Sequence, residues 1–590
     1  MRLLKSSPNR LRLSFTMRIA IIASLLTAFS IIAAEERQLH TFERIQLTDR
    51  YYSEGINAAD VNGDGHVDAI HGPFWFAGPD FKTKKLIYQT APQNREGYAN
   101  NFFSWPYDFN KDGLVDVLTA GFPGTPAFVY QNPGKEGHDG PWPKHQVFDW
   151  VSNESPHFVN LVGDAVPELV CTRDGYFGYV EINPANGLEP WNFYPISDRI
   201  APVKFGHGLG VGDVNGDGRL DVLMKDGWFE QPEDLTQGHW TLHKAVFAQR
   251  GGAEMFAYDV DGDGDNDVIT SLAAHEYGLS WHEQTPQGFK EHLIMGDRPG
   301  LNRYGVYFSE LHSVQLADMD GDGLKDIVTG KTYWSHHKKS HGWNDGAVVY
   351  WFKLIRSKDG VDWLPMKADG EAGIGRQLVI QDMNGDKLPD ILAGGMRGAH
   401  VLIHRMKNVS EAEWKAAQPK RLKMTETPPV AGKPAPIDET TGRVPDAIEG
   451  ETLVATAKVT AGAAKIQGMK NFTGARWSGD AQLLWSGGKI GDTLEVELSI
   501  SEKAAYTLET VFTRAPDFAI VQLALDGKDL GAPLDLYQFG KVGTTGVLEH
   551  DLGEIEVGGH KLTIRIIGTN PNAVQNRFAG LDYVRLARTP

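Results

Sequence analysis

A chain of 590 residues is too long for one ordinary domain, and 41% hydrophobic with 23% charged residues is a globular composition with ample core. The formal net charge of −18 excludes the basic face that nucleic acid or an anionic membrane would need, so neither is expected as a partner. A single cysteine, Cys171, excludes an internal disulfide, and an exported chain of this size needs another staple.

The N-terminus carries Lys5, Arg10, Arg12 and Arg18, then an apolar run from Ile19 to Ile32, then Ala33-Ala34 before Glu35-Glu36. This pattern reads as a signal peptide over residues 1–34, with Met17 an equally good start. The run is short for a bilayer span and nothing later is longer, so the expectation is a secreted or periplasmic protein with no membrane span.

The stretch Asp213-Val-Asn-Gly-Asp-Gly-Arg-Leu-Asp221 places oxygen ligands at alternate positions, with glycines where the backbone must turn. Calcium takes six to eight oxygens, and a short loop of this kind nearly fills its shell. Complete copies stand at Asp60/Asn62/Asp64/Asp68, Asp108/Asn110/Asp112/Asp116, Asp213/Asn215/Asp217/Asp221, Asp259/Asp261/Asp263/Asp267 and Asp318/Asp320/Asp322/Asp326. A sixth set, Asp382/Asn384/Asp386/Asp390, keeps its ligands but has Lys387 where the others have glycine. The copy at Asn160 and Asp164 is degenerate, with Val162 in a ligand position and Glu168 for aspartate, and is expected to hold no ion. Structural calcium is the expected cofactor, because carboxylates this dense repel one another without a cation.

The copies recur at intervals of 48, 52, 53, 46, 59 and 64 residues, the size of one supersecondary unit. Between them lie short β-rich runs such as Val67–His71, Leu114–Ala120, Asp221–Met224 and Asp326–Thr329, and no amphipathic helix. Four strands fit each interval, which predicts an all-β fold with a seven-bladed β-propeller over residues 39–405, closed by an outer strand from Leu39–Leu47. The repeats resemble the FG-GAP or VCBS family, whose seven-bladed propellers bind calcium in such loops, as in integrin α-subunit heads. That family contains adhesion proteins, lectin-like modules, polysaccharide lyases and a sugar dehydratase, so the resemblance implies the fold and leaves the function to the site.

Ser410 with Glu413 forms a capping-box pattern for a short helix through Ala417, and six prolines from Pro419 to Pro445 follow, giving a helix-and-linker segment over 406–445. Residues 446–590 alternate in strands, among them Asp492–Ile500, Ala505–Phe512, Val521–Leu525 and Lys561–Ile566, which predicts a jelly-roll β-sandwich. Glu449-Gly-Glu451 and Leu581-Asp582-Tyr583-Val584 resemble the two ends of galactose-binding-like carbohydrate-binding modules. That resemblance implies adjacent terminal strands and makes Glu449, Glu451 and Asp582 further candidate calcium ligands. Trp477, Trp485, Tyr537 and Phe539 are either sugar-stacking aromatics or core.

In propellers that resemble this one, ligands bind over the central channel, opposite the calcium loops. Six residues before each loop stand Glu54, Phe102, Glu154, His207, Ala253, His312 and Arg376, with Glu254 and His157 close by. The next same-face positions, such as Leu209, Val211, Val314 and Leu316, are apolar, so polarity is confined to the strand starts. Such a ring suits zinc or another divalent ion, or general acid–base work on a sugar; His207, His312, Arg376, His157 and Glu254 are the candidate catalytic residues. His71, Asp174, Lys225, Asp226, His275 and Lys331, after the following strands, belong to the same mouth, while His336, His337 and His341 form a separate cluster with Trp334 and Trp343. No phosphate-cradling loop, GxSxG or HExxH occurs. The sequence therefore points to a carbohydrate lyase or dehydratase acting by β-elimination, with His207 or His312 as base and a metal or Arg376 facing the enolate. The alternative is a non-catalytic glycan-binding or adhesion protein.

Overall fold

The computed structural model describes residues 37–248, 250–422, 433–472, 474–570 and 573–588, so the expected signal peptide and the prolines at 428 and 429 lie outside the described residues. The fold class is all-β, of the propeller and sandwich kind. Residues 37–39 and 407–418 form a small unit by themselves. In it the Arg37 guanidinium lies 5.4 Å over Trp414, and Ser410 caps the helix Glu411–Ala417 in a reciprocal capping box with Glu413.

Each acidic repeat lies between the first and second strands of a four-stranded antiparallel meander. The fourth meander, for example, runs Leu209–Gly212, Asp221–Met224, Gly227–Glu230 and Thr241–Lys244. The seventh borrows its outer strand from the start of the described chain, since Arg37–Thr48 pairs with Gly398–Val409. First strands of neighbouring meanders run side by side. Leu209 and Gly210 pair in parallel with Glu254 and Met255, and isolated parallel bridges join Gly55 to Gln377 and Asn153 to Gly206. Second strands are buried, wholly so in Asp116–Ala120 and Asp326–Gly330, and their apolar side chains fill the space between adjacent meanders.

The residue that closes each loop is also the first of its second strand, and the structure gives it a second use. Asp221 is fully buried; its Oδ2 accepts the Val214 amide at 2.8 Å and its Oδ1 the Gln231 amide at 3.0 Å. Asp68, Asp116, Asp267, Asp326 and Asp390 repeat this clamp between loop and third strand. Glu168 keeps half of it, accepting from Leu161 and Val162, so the degenerate repeat retains the staple after losing a ligand position. Burial pushes the closing carboxyls up, to about 6 at Asp221 and about 8 at Asp326. Lys387 occupies the left-handed backbone region (φ 68°), as Gly65 and Gly218 do at the same loop position, and its amide still reaches Asp382 at 2.7 Å.

The C-terminal strands form two sheets around a core that includes Trp485, Leu494, Phe512, Leu523 and Ile564. The short strand Ile448–Glu449 pairs antiparallel with the last strand, Ala579–Arg588, with Ile448 opposite Val584. Trp477 and Trp485 are buried, with their indole N–H groups bonded to Thr513 Oγ1 and the Ala461 carbonyl. These two rings therefore belong to the core and offer no exposed face to a sugar.

Candidate metal centre

His207 and His312 each stand two residues ahead of a first strand, Leu209–Gly212 and Val314–Ala317, and project into one polar cluster. His275, four residues beyond the strand Asp267–Ser271, completes a trio with ligand atoms within 4.8 Å of one another. Glu310, His312 and His336 form a second such trio, so His312 is common to both. The Nε2 atoms of His207 and His275 are 3.0 Å apart, and the rings of His275 and His336 are 3.7 Å apart between centroids. Glu310 Oε2 lies 3.0 Å from His336 Nδ1 and 3.6 Å from His312 Nδ1.

Two features distinguish this cluster from satisfied core histidines. His312 is 1% exposed, yet neither of its ring nitrogens has a hydrogen-bond partner, and Glu310 Oε1 is likewise buried without one. Burying polar atoms unpaired costs about 1–3 kcal/mol each, so a cluster that leaves several unpaired is built for a ligand. Burial also holds His312 well below the usual imidazole range, followed by the charge of Arg376, and lowers His275 to about 3, so both present neutral lone pairs at pH 7. Neutral imidazoles with one carboxylate are the donor set of zinc and related divalent ions.

Arg376 lies beneath this cluster. Its Nη1 donates to Glu54 at 2.8 Å and its Nε to Glu154 at 2.7 Å, and its guanidinium stacks 4.9 Å from the Tyr98 ring. Burial opposes the charge on Arg376, but the two carboxylates outweigh it; for Glu154, Arg376 and His207 together overcome burial and hold the carboxyl well below its usual range. Glu154 Oε2 is 3.7 Å from His207 Nε2. The guanidinium is 1% exposed and already shared by two acids, which removes it from contact with an enolate and makes it the counter-charge of the floor.

The other sequence candidates lie elsewhere. His157 Nε2 contacts the Leu209 carbonyl at 3.2 Å, tying the third meander to the fourth. Glu254 accepts from Ser313 Oγ at 3.0 Å and the Val314 amide at 2.8 Å, tying the fifth to the sixth. Neither joins the imidazoles, because the polar atoms of each are taken up by a neighbouring meander. His336 leaves its sequence neighbours to enter the cluster, whereas His337 stacks on Trp334. Glu310, two residues before His312, escaped the repeat alignment because it belongs to the irregular segment ahead of the strand, with φ at 64°.

The acidic loops offer all-oxygen donor sets that fit calcium. Among the described residues, Asp259/Asp261/Asp263 and Asp318/Asp320/Asp326 bring three carboxylates within 4.8 Å. In the sixth loop the Lys353 ammonium pairs with both Asp320 and Asp322, and in the fifth Arg356 lies 3.6 Å from Asp259.

The remaining complete loops arrange their sequence-predicted ligands differently. In the first, Asn62 Nδ2 donates to Asp64 Oδ2 at 3.0 Å, and Asn62 Oδ1 accepts the Asp64 amide at 2.8 Å. The second repeats this with Asn110 and Asp112, at 2.8 and 3.0 Å, and the fourth with Asn215 and Asp217, at 3.2 and 3.1 Å. Arg219 also pairs with Asp217. In the seventh, Asn384 Oδ1 accepts the Asp386 amide at 2.9 Å, Asp386 Oδ1 accepts the Leu388 amide at 2.9 Å, and Arg405 lies 3.5 Å from Asp386. The leading residues Asp60, Asp108, Asp213 and Asp382 each accept amides of their own loop.

The ligand positions expected from the sequence are thus engaged within their own loops in this structure. Asn62, Asn110, Asp112, Asn215, Asp217, Asn384 and Asp386 turn onto each other, onto loop amides or onto an arginine, since those are the donors within reach of short polar side chains in a tight turn. An ion in the first, second or fourth loop requires the asparagine amide to swing off its aspartate. In the sandwich, Glu449 and Glu451 each leave one buried oxygen unpaired, Arg443 lies 3.3 Å from both, and burial pushes Asp582 up to about 8.

No family model matches the chain. It is 25% identical over 246 residues to integrin alpha-5 of Xenopus laevis, a stretch covering 40% of this chain and 19% of the integrin, so the match spans about a fifth of that relative. Among solved structures it overlaps an Agrocybe aegerita protein that recognises non-reducing terminal N-acetylglucosamine (15% identity, 63% of this chain, 87% of that one, TM-score 0.33). It also overlaps a family 43 arabinoxylan arabinofuranohydrolase from Bacillus subtilis (12%, 94% and 96%, TM-score 0.23) and a CBM35 from Paenibacillus barcinonensis (14%, 24% and 98%, TM-score 0.17). Scores this low leave the site to be read from its own geometry. Among the described residues no helix is long and apolar enough to cross a membrane.

Proposed function

We propose that the seven meanders are the blades of one closed propeller with calcium in its complete acidic loops, and that the imidazole cluster is a divalent-metal centre where a sugar undergoes β-elimination. The observation that carries this reading is the pair of trios, His207/His275/His312 and Glu310/His312/His336, that share His312 while neither nitrogen of His312 has a hydrogen-bond partner. The carbohydrate class follows from the resemblance of the Glu449 and Asp582 segments to carbohydrate-binding modules.

The residues divide by the acid beside them, Glu310 for His312 and His336 and Glu154 for His207. Glu310, His312 and His336, with His275 beside them, are the holders of the ion. A bound divalent cation supplies Lewis acidity toward the oxygen that gains charge when a proton leaves the carbon next to a carbonyl or carboxylate. Of the two histidines ahead of first strands, His207 is the more accessible, at 12% of its side chain against 1% for His312, and is the base. It accepts the C–H proton at a ring nitrogen, the electron pair forms the C=C bond, and the β C–O bond breaks. Glu154, 3.7 Å away, then stabilises the imidazolium. Burial pushes Tyr98 up to about 12 and keeps its hydroxyl protonated at neutral pH, so Tyr98 is the donor to the departing oxygen.

The test combines metal content with ultraviolet absorbance of unsaturated products from keto-sugars and uronate polymers. His207→Ala should retain the metal and lose at least about a hundredfold in rate, the usual share of one acid–base group, whereas His312→Ala should lose the metal itself. Metal-free wild type with no product from any substrate would overturn the reading. The rival, glycan binding without chemistry, is favoured by the structural use of His157 and Glu254, and glycan retention without product would support it.

A further inference from the structure

A cavity of about 950 Å³ lies between the outer part of the fourth meander and the sandwich. Phe472, Phe518 and Phe578 contribute its apolar wall, and the exposed Asn471 and Asn576 line it with neutral amides. Five cations border it, Lys225, Lys244, Arg250, Lys470 and Lys541, against two acids, Asp226 and Asp517. The lining therefore carries an excess of three positive charges in a chain whose net charge is −18. Lys225 pairs with Asp226, Arg250 with Glu276 and Lys541 with Glu291. Lys244 and Lys470 are exposed and, among the described residues, have no acidic partner.

Residues lining the cavity also touch neighbours of the imidazole cluster. Arg250 pairs with Glu276, the residue after His275, and Gly251 packs so closely on His207 that a Cβ there would lie 2.7 Å from the His207 Cβ. Lys225 borders Gly208, the residue after His207, in the same way, at 3.5 Å. One wall of the cavity is thus a single residue removed from two of the imidazoles.

We propose that this cavity is a binding site for an acidic oligosaccharide, a chain of sugars bearing carboxylates or sulfate esters. Unpaired lysines in an otherwise acidic molecule repel other cations and select anions. The aromatic wall supplies ring-sized apolar surface and the exposed amides supply partners for sugar hydroxyls. The volume of about 950 Å³ suits several sugar units, which makes an oligomer, rather than a free monosaccharide, the natural occupant. The site rests on the carbohydrate reading above and stands without the metal centre.

Calorimetric titration of the full chain with oligogalacturonates of two to six units, sulfated galactan oligomers, neutral cello-oligomers and poly-glutamate tests it. An acidic oligosaccharide should bind more tightly as it lengthens and more weakly as salt rises, with uronate and sulfate arms distinguishing the anion. Lys244→Glu with Lys470→Glu should weaken binding at least about tenfold, or 1.4 kcal/mol, with an unchanged melting temperature. Lys244→Gln with Lys470→Gln should give a smaller loss of the same sign. Both lysine pairs should keep the metal content of the wild type, which separates this site from the metal centre. Equal binding of neutral oligomers or poly-glutamate, no binding of any acidic oligosaccharide, or indifference to both lysine pairs would overturn the proposal.

Discussion

Arg376 illustrates how a single residue can be read correctly as polar and convergent and still be assigned the wrong work. Its place six residues before the Asp382 loop was legible from the repeat. Its two partners were not, because Glu54 and Glu154 lie 322 and 222 positions away in sequence. In the folded chain it neutralises two buried acids, and a buried cation so placed is best tested by its removal. Arg376→Met keeps most of the volume but strands both carboxylates, and should destabilise the protein by about 3–5 kcal/mol in denaturant titration. A loss under about 1 kcal/mol would show that water reaches Glu54 and Glu154 and that the floor is not dry. The imidazoles follow the same lesson. His207 and His312 were fixed by the period, whereas Glu310, His275 and His336 come from connecting segments that have no period to read.

At the scale of the element, the repeated loop and its clamp explain why seven copies survive with unequal ligand sets. A closing carboxylate that accepts amides from loop and third strand is useful with or without an ion, which is why Glu168 persists where Val162 cannot ligate. Spacing made the ligand positions legible but not the turn of each side chain, since Asn62 and Asn215 reach the next aspartate as easily as they would reach an ion. The outer carboxylates are compensated only by such contacts and a few nearby cations, and calcium bound only by the folded loops would add about 2.7 kcal/mol per site at a hundredfold excess over Kd. Chelation should therefore lower the melting temperature by several degrees, reversibly on adding calcium; an unchanged melting curve would remove calcium as the staple. A second element-scale expectation concerns His71, fully buried at the end of the strand Asp68–His71 and bonded through Nδ1 to the Gly55 carbonyl at 2.9 Å. Burial lowers it to about 4. Because the folded value lies below the ordinary 6.5, its contribution is complete above pH 6.5 and is lost as pH falls toward 4. Between pH 7 and 4.5 the wild type should lose roughly 2 kcal/mol relative to His71→Gln, and parallel pH profiles would show that the ring is not buried neutral.

On the scale of the whole molecule, strand spacing made the meanders and the sandwich strands legible, but nothing in either pattern announced how the two parts meet. Tyr537, which the sequence offered as a sugar-stacking ring, instead donates its hydroxyl to Asp297, beyond the last strand of the fifth meander, and is buried there. Lys541 reaches Glu291 of that same strand at 2.5 Å. Lys541 also lines the cavity, so the contacts that fix this segment bear on the rigidity of that wall. Tyr537→Phe leaves Asp297 Oδ2 without its donor, with Arg298 still on Oδ1 at 3.1 Å, and should cost about 1–3 kcal/mol, the usual penalty of a buried group left unsatisfied. The loss should fall on the coupling between the two parts more than on either core. Scanning calorimetry should then resolve the unfolding of Tyr537→Phe with Lys541→Ala into two transitions further apart than those of the wild type, with the sandwich melting first because it has the smaller core. Transitions that shift together without separating would place the loss within one core, and the cavity would then owe its shape to packing alone.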